Sequence, residues 1–272
     1  MRSLIILISF SISLLFYKTV DCDNNYSKII AHIPLPDGYI RVKSKKNSFA
    51  HWLRTLPLKK AGSPVKLFNG TMKENQDAHY AVVQMSVGKR NLQQCADAIM
   101  RLRAEYLFFK RKYKNIKFSF TSGDLFPFVK WAAGYRPIIR SNNVRWKKKA
   151  ARDFSYKNLK RYLAFLFIYA GTASLSREMI KVNIKNINIG NVFIQGGFPG
   201  HAVIIVDMAY NIHNGTKIFL LAQSYMPAQE IHILKNPSSR QLSPWYKSRF
   251  RGKLLTPEWD FRKSHLKKFK QP

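Results

Sequence analysis

The sequence predicts an α+β fold in which helices come first and an antiparallel sheet follows. In the first two thirds of the chain, apolar residues recur three and four positions apart, which is typical of helices with one buried face. In the last third, short apolar runs alternate with turn residues, which is typical of strands joined in a meander. Residues 1–22 are interpreted as a signal peptide, and residues 23–272 as a single globular domain because no repeat or linker divides them.

The first 22 residues carry the features of an export signal. Arg2 precedes an apolar run over residues 4–16, which is shorter than the ~20 residues of a membrane span. We therefore expect export to the periplasm or envelope, with no transmembrane domain after signal cleavage; a retained N-terminal anchor is the alternative. A lipoprotein anchored through Cys22 is the less favoured interpretation, because Asp21 stands where a small residue is required.

Polar residues that precede apolar runs predict where the helices begin. Ser48 and Ser155 each precede a helical pattern, and Asn91 is expected to cap the longest one, whose apolar stripe includes Cys95. Helices are predicted over residues 48–53, 91–109, 125–133, 155–170 and 174–179.

The strands are predicted from alternation and from continuous apolar runs. The run that begins at His201 is almost entirely apolar, which is typical of a strand buried on both faces. A turn at residues 211–215 should connect it to the next strand in a hairpin. Strands are predicted over residues 79–87, 116–120, 191–195, 201–208, 217–223 and 229–234.

The composition is strongly basic, with 47 Lys and Arg against 14 Asp and Glu and a net charge of +33. Such a charge is typical of a protein that binds a polyanion, for example an anionic envelope surface. The basic residues are spread along the whole chain together with many Asn and Ile, so compositional drift of the genome is the favoured explanation. Nucleic acid is not expected as a partner, because no nucleic-acid-binding motif accompanies the charge.

The chain has two cysteines, Cys22 and Cys95. If signal processing removes or lipidates Cys22, then Cys95 is left as a buried small residue or as a reactive thiol. No cluster of Cys and His has the spacing of a zinc site, and we expect neither a metal nor a cofactor.

Several long blocks of the sequence are similar to one known family. They lie at residues 48–59, 91–107, 169–172, 196–203 and 219–232. Through them the chain resembles the bacterial domain of unknown function 4846 family, common in Bacteroidetes, over nearly all of residues 33–269. The resemblance implies no established activity. One departure is visible, since the family tends to have Gly-Asp where this chain has Gly190-Asn191.

Three residues predict a cysteine-based catalytic site. Cys95 is expected near the N-terminus of its helix, where the dipole should lower the pKa of the thiol. His201 begins the buried strand, and Gln223 ends the next strand of the hairpin. This order resembles papain-like and transglutaminase-like cysteine hydrolases, in which a thiolate attacks a carbonyl, an imidazole carries the proton and a polar residue orients the ring.

Further residues are candidates for contacts with a peptide or peptidoglycan substrate. Asn75, Gln76 and His79 precede the strand that leads to the cysteine helix, and Ser224 and Tyr225 follow Gln223. The alternative for each is structural: Cys95 and His201 could be core residues, and Gln223 could cap a strand. The chain could then be a non-catalytic envelope module, or a binder of polyanions.

Overall fold

The structure is a computed structural model that describes residues 28–140 and 143–270. The expected signal peptide at residues 1–22, together with Cys22, lies outside the described residues. In the part of the chain that is described, no helix is both long and apolar enough to cross a membrane.

The helices lie in the first two thirds of the chain. Within the described residues they are α1 (Phe49–Arg54), α2 (Cys95–Phe109), α3 (Phe128–Ala132), α4 (Tyr156–Tyr169) and α5 (Thr172–Glu178). Ser48 caps α1 by accepting a hydrogen bond from the backbone N–H of His51 at 3.1 Å. Ser155 caps α4 in the same way, with the N–H of Asn158 at 3.2 Å. Both predicted caps are confirmed, because each depends on chemistry within four residues.

The two longest of the described strands lie after residue 190. In chain order, the strands are β1 (Tyr39–Arg41), β2 (His79–Val82), β3 (Lys117–Ser119), β4 (Leu125–Pro127), β5 (Tyr135–Arg140), β6 (Asn143–Lys148), β7 (Ile180–Lys181), β8 (Val192–Gln195), β9 (His201–Asn211), β10 (Lys217–Gln223), β11 (His232–Leu234), β12 (Tyr246–Lys247), β13 (Leu254–Leu255), β14 (Asp260–Phe261) and β15 (Leu266–Lys268).

One antiparallel sheet forms the centre of the domain. Its strands run in the order β2-β11-β10-β9-β8-β15-β7, with β1 paired to β9 and β12 paired to β10. The α+β class is therefore confirmed. Strand β9 is the longest described strand, and its first nine residues are buried. It pairs with β8 on one side and β10 on the other, so that His201 opposes Gln195, and Ile204 opposes Ala222.

Helix α2 packs against β9 and is buried on nearly all sides. Even its arginines are enclosed. Arg101 pairs with Glu105 at 2.8 Å, and the Arg103 guanidinium lies 5.1 Å from the centroid of the Phe49 ring. The helix thus forms part of the hydrophobic core, and its N-terminus reaches the start of β9.

The start of α2 differs from the prediction. The helix begins at Cys95 with Gln94 as its N-cap, whereas Asn91 was expected to cap it. The Asn91 side-chain oxygen instead accepts a hydrogen bond from the backbone N–H of Ala228 at 2.8 Å. This tertiary contact satisfies the Asn91 oxygen outside the helix and ties the helix entry to the loop between β10 and β11. The Gln94 N–H donates to Asp97 Oδ2 at 3.0 Å.

Two further differences lie in the middle of the chain. Residues 125–133, expected as one helix, form β4 followed by α3, since β3 and β4 pair with Phe118 opposite Phe126. The residue before a proline disfavours helical backbone, and Phe126 precedes Pro127. The hairpin formed by β5 and β6 was not predicted, because its many basic residues mask the alternation of a strand.

Candidate active site

Cys95 occupies the first position of α2, where backbone N–H groups have no partner within the helix. Its side chain is 8% exposed, and it is a free cysteine. The backbone N–H groups of Cys95, Ala96 and Ala202 lie close enough to the sulfur to favour the thiolate. The last of these belongs to the residue after His201, so the thiol lies beside the beginning of β9.

The expected lowering of the Cys95 pKa is wrong for this resting structure. Burial, followed by the charge of Asp97, raises the pKa of the thiol to about 11, and the three N–H groups only partly oppose this. A helix N-terminus favours an anion by roughly 0.3–1 kcal/mol, which is less than the cost of removing a thiolate from water. At neutral pH the side chain is therefore a thiol.

His201 begins β9 and is almost fully buried. Burial is the main reason that its pKa falls to about 4; the hydrogen bond to Gln223 opposes this shift and the charge of Lys73 adds to it. The imidazole is thus neutral at pH 7. Its Nε2 lies 2.8 Å from the side-chain oxygen of Gln223, as expected for an orienting residue on the neighbouring strand.

Hydrogen bonds behind His201 determine which ring nitrogen carries its proton. Glu258 can only accept in its ionised form, so the Gln223 amide nitrogen donates to Glu258 Oε2 at 2.6 Å. His232 donates from Nδ1 to the Glu230 carbonyl, which leaves its Nε2 to accept from the same Gln223 nitrogen. The Gln223 oxygen must then face His201 Nε2 and accept its proton. The neutral imidazole consequently has an unprotonated Nδ1.

A buried ion pair between Lys73 and Glu258 holds the Gln223 amide in this orientation. Lys73 Nζ lies 2.7 Å from Glu258 Oε2, and the two side chains are only 6% and 13% exposed. The same carboxylate oxygen accepts from Gln223. Lys73, Glu258 and Gln223 therefore form one connected polar network that ends at His201.

Aromatic rings enclose the imidazole on its other sides. The centroid of Tyr225 lies 4.8 Å from that of His201 in an edge-to-face arrangement. Trp259 and Phe261 follow at 5.5 and 5.9 Å. Tyr225 and Trp259 thus pack directly on the predicted site and shield its hydrogen bonds from water.

Cys95 and His201 line the same cleft, which encloses about 510 Å³. The two side chains are not joined by a hydrogen bond, although contacts between catalytic groups are often long before substrate binds. Gln94 lines the cleft beside the cysteine, and Tyr225 lines it beside the histidine. Gln223 does not line the cleft but lies directly behind the imidazole.

Three of the candidate substrate-binding residues, Asn75, Gln76 and His79, lie away from this cleft. Asn75 is exposed at the start of a short turn. The Gln76 amide binds both backbone groups of Val65 at 3.0 Å, and His79 Nε2 contacts the Ser63 carbonyl at 3.1 Å. Gln76 and His79 thus help to hold a loop in place through these contacts.

Ser224 and Tyr225 have different environments although they are neighbours. The Ser224 hydroxyl lies 2.7 Å from the Gln229 carbonyl and 3.0 Å from the Gln93 carbonyl, so it links the β10–β11 loop to the entry of α2. Tyr225 turns the other way, toward His201 and the cleft. Of the five proposed substrate contacts, Tyr225 is the one found in the cleft.

Several residues of the site were not foreseen. Lys73 and Glu258 carry no local signal, because 185 residues separate the two members of the ion pair. Asp97 lies in the first turn of α2 at the cleft; one of its oxygens is buried without a partner, and burial raises the pKa of its carboxyl to about 8. In the described ranges, no group of three His, Cys, Asp or Glu side chains could hold a metal ion.

Comparison with known proteins identifies a family without assigning an activity. Neither the curated proteins nor the solved structures include a match to the chain. A family model matches residues 29–268, nearly the whole chain, and confirms the resemblance found in the sequence. The chain belongs to the family described as Domain of unknown function (4846).

Proposed function

We propose that this protein is a cysteine-dependent hydrolase or transpeptidase that acts on an amide bond in the cell envelope. The observation that carries the proposal is the neutral imidazole of His201, hydrogen-bonded at Nε2 to Gln223 and lining one cleft with Cys95. The order of helix, strand and neighbouring strand supports a papain-like or transglutaminase-like arrangement. The apolar segment at the N-terminus supports export, so a peptide or peptidoglycan is the natural substrate class.

The proposed reaction begins with a neutral pair. As the Cys95 sulfur attacks the carbonyl carbon of the amide, the thiol proton passes to Nδ1 of His201. The N–H groups at the start of α2, which have no partner within the helix, and the Gln94 side chain beside them would stabilise the oxygen that becomes negative.

The tetrahedral intermediate then collapses with cleavage of the C–N bond. The departing amine takes the proton from His201, and the acyl group remains on Cys95 as a thioester. Water or a second amine attacks this thioester, with His201 again accepting a proton. Return of that proton to sulfur completes hydrolysis or transpeptidation. Gln223 stabilises the imidazolium in each step through its oxygen.

The raised pKa of Cys95 also favours a second candidate function. A thiol that stays protonated and buried would be inert, and the protein would then be a non-catalytic envelope module or a polyanion-binding protein. The two candidates differ in whether Cys95 can be acylated with the help of His201.

Reaction with p-nitrophenyl acetate at pH 8 tests the proposal without a known substrate. We expect release of nitrophenol and an acetyl group that peptide mass mapping places on Cys95 rather than Cys22. The His201→Ala variant should acylate roughly 10²–10⁴-fold more slowly, the usual contribution of a general base. His213→Ala is the matched control, since His213 is exposed at the far end of the β9–β10 hairpin. Equal rates in the two variants, or an unreactive Cys95, would favour the non-catalytic module.

A further inference from the structure

The cleft that holds Cys95 differs in charge from the rest of the molecule. None of the described residues that line it is Lys or Arg, although the chain contains 47 of them. Asp97 is the single acidic residue in this lining. An anionic chain would therefore find no counter-charge beside the thiol, and the net charge of +33 says nothing about what binds here.

Basic residues line another groove on the surface. This groove is lined by Lys185, Lys217, Arg249, Arg251 and Lys263, and it shares no residue with the cleft. Any attraction of the protein for an anionic surface can thus operate without the cleft. The separation indicates that the ligand of the cleft is selected by contacts other than charge.

Two large apolar side chains stand at the mouth of the cleft without being buried. Phe198, in the loop between β8 and β9, is fully exposed, and Met226, in the loop between β10 and β11, is 54% exposed. Phe167 and Ala170 at the end of α4 continue the apolar lining. Exposed apolar groups around a concave site are typical of a surface that a ligand covers.

The loop that carries Phe198 is held firmly at its base. The Thr172 hydroxyl donates to the Gly197 carbonyl at 3.0 Å, and a Cβ on Gly200 would lie 2.4 Å from that hydroxyl oxygen. This close packing holds the backbone of the loop against α5, so the position from which Phe198 projects is defined although its ring is exposed. A side chain on a held backbone loses less entropy when it binds an apolar group.

We propose that the cleft binds an uncharged peptide segment with a large apolar side chain, which packs between Phe198 and Met226 while the adjacent carbonyl faces Cys95. The proposal rests on the proposed function for the role of Cys95, but the binding of the segment does not require catalysis. The two can therefore be tested separately.

Binding is measured with the full chain carrying Cys95→Ala. The probes are two peptides that differ in one residue, acetyl-Ala-Ala-Phe-amide and acetyl-Ala-Ala-Glu-amide, each labelled with the same neutral fluorescent dye. Because the protein is so basic, fluorescence anisotropy is recorded across a salt series. We expect the Phe peptide to bind with an affinity that salt changes little. Any binding of the Glu peptide should weaken steeply with salt, as for contacts with scattered surface cations.

Matched variants locate the binding surface. Phe198→Ser and Met226→Ser should each weaken binding of the Phe peptide by about tenfold, the scale of one lost apolar contact of this size. Ile212→Ser is the control, because Ile212 is 55% exposed but lies at the opposite end of β9. A Glu peptide that binds as tightly as the Phe peptide at high salt would overturn the proposal. So would equal affinities of the Phe peptide for Phe198→Ser, Met226→Ser and the Ile212→Ser control.

The chemical step is followed in the same proteins with Cys95 restored. The Ile212→Ser control should acylate with p-nitrophenyl acetate at the rate of the parent protein, because Ile212 does not line the cleft. If Cys95 cannot be acylated but the Phe peptide still binds at Phe198, the proposed catalysis fails and the binding site stands. If Cys95 is acylated but the Phe peptide does not bind, the binding site fails and the catalysis stands.

Discussion

Replacing Glu258 by glutamine removes the one carboxylate that pairs with Lys73 among the described residues. The Lys73 ammonium would then be buried without a counter-charge, and the Gln223 amide would lose its charged acceptor. Both consequences destabilise the folded state, since a buried charge needs a partner.

The size of the effect follows from the burial of the pair. Breaking a buried ion pair by removing one partner costs about 3–5 kcal/mol, and we expect about 3 here because glutamine can still accept a hydrogen bond from Lys73. For a domain of this size that corresponds to a fall in Tm of roughly 6–12 °C. The double variant Lys73→Met with Glu258→Gln removes both charges and should recover most of the loss.

The pH dependence gives a second signature of the same variant. Burial already lowers the pKa of Lys73, while Glu258 raises it. Without Glu258 the pKa in the folded state falls further, whereas the unfolded state keeps its ordinary value near ~10.4. Between these two values the unfolded state binds more protons, so the free energy of unfolding of Glu258→Gln should rise with pH.

Urea unfolding followed by fluorescence of the five tryptophans measures these free energies at pH 7 and pH 9. Asp77→Asn is the control, because Asp77 is fully exposed and lies 3.9 Å from Lys235; we expect no measurable change. If Glu258→Gln is as stable as the parent protein, or if the double variant is no more stable than Glu258→Gln alone, the ion pair does not have the role that its geometry indicates.

Two further predictions concern Asp97 and Gly134. Burial raises the pKa of Asp97 to about 8, so between about pH 4 and 8 the folded state holds a proton that the unfolded state has lost. The free energy of unfolding should therefore fall as pH rises over this range. In urea unfolding, Asp97→Asn should remove this fall. The same variant should speed acylation of Cys95 only above about pH 8, where ionised Asp97 otherwise raises the thiol pKa; an equal effect at pH 6 would contradict this. Gly134→Ala should cost more than about 3 kcal/mol in the same assay, since φ is +97° and a Cβ would lie 1.9 Å from the Ala150 carbonyl oxygen. Gly215→Ala, with φ of +67° but no atom within 4 Å, should cost only about 1 kcal/mol; comparable losses would contradict the role of the close approach.

Local chemistry was sufficient to predict much of the fold. Ser48 and Ser155 cap their helices as expected, and β10 has the predicted bounds. The hydrogen bond between His201 and Gln223 also follows from the sequence, because a hairpin brings the start of one strand beside the end of the next. The start of α2 could not be predicted, since Ala228 binds the Asn91 side chain from a distant part of the chain.

By itself, the amino-acid sequence determined the α+β class, the family, and the positions of Cys95, His201 and Gln223 at the ends of their elements, because periodicity, caps and turns act over a few residues. Only the tertiary structure decided the protonation states of Cys95 and His201, and which distant residues lie beside all three side chains. Burial raises the pKa of Cys95 and lowers that of His201, and it brings Lys73 and Glu258 together beneath Gln223. Desolvation and pairing of this kind depend on which distant segments close over a side chain, and no local pattern records that.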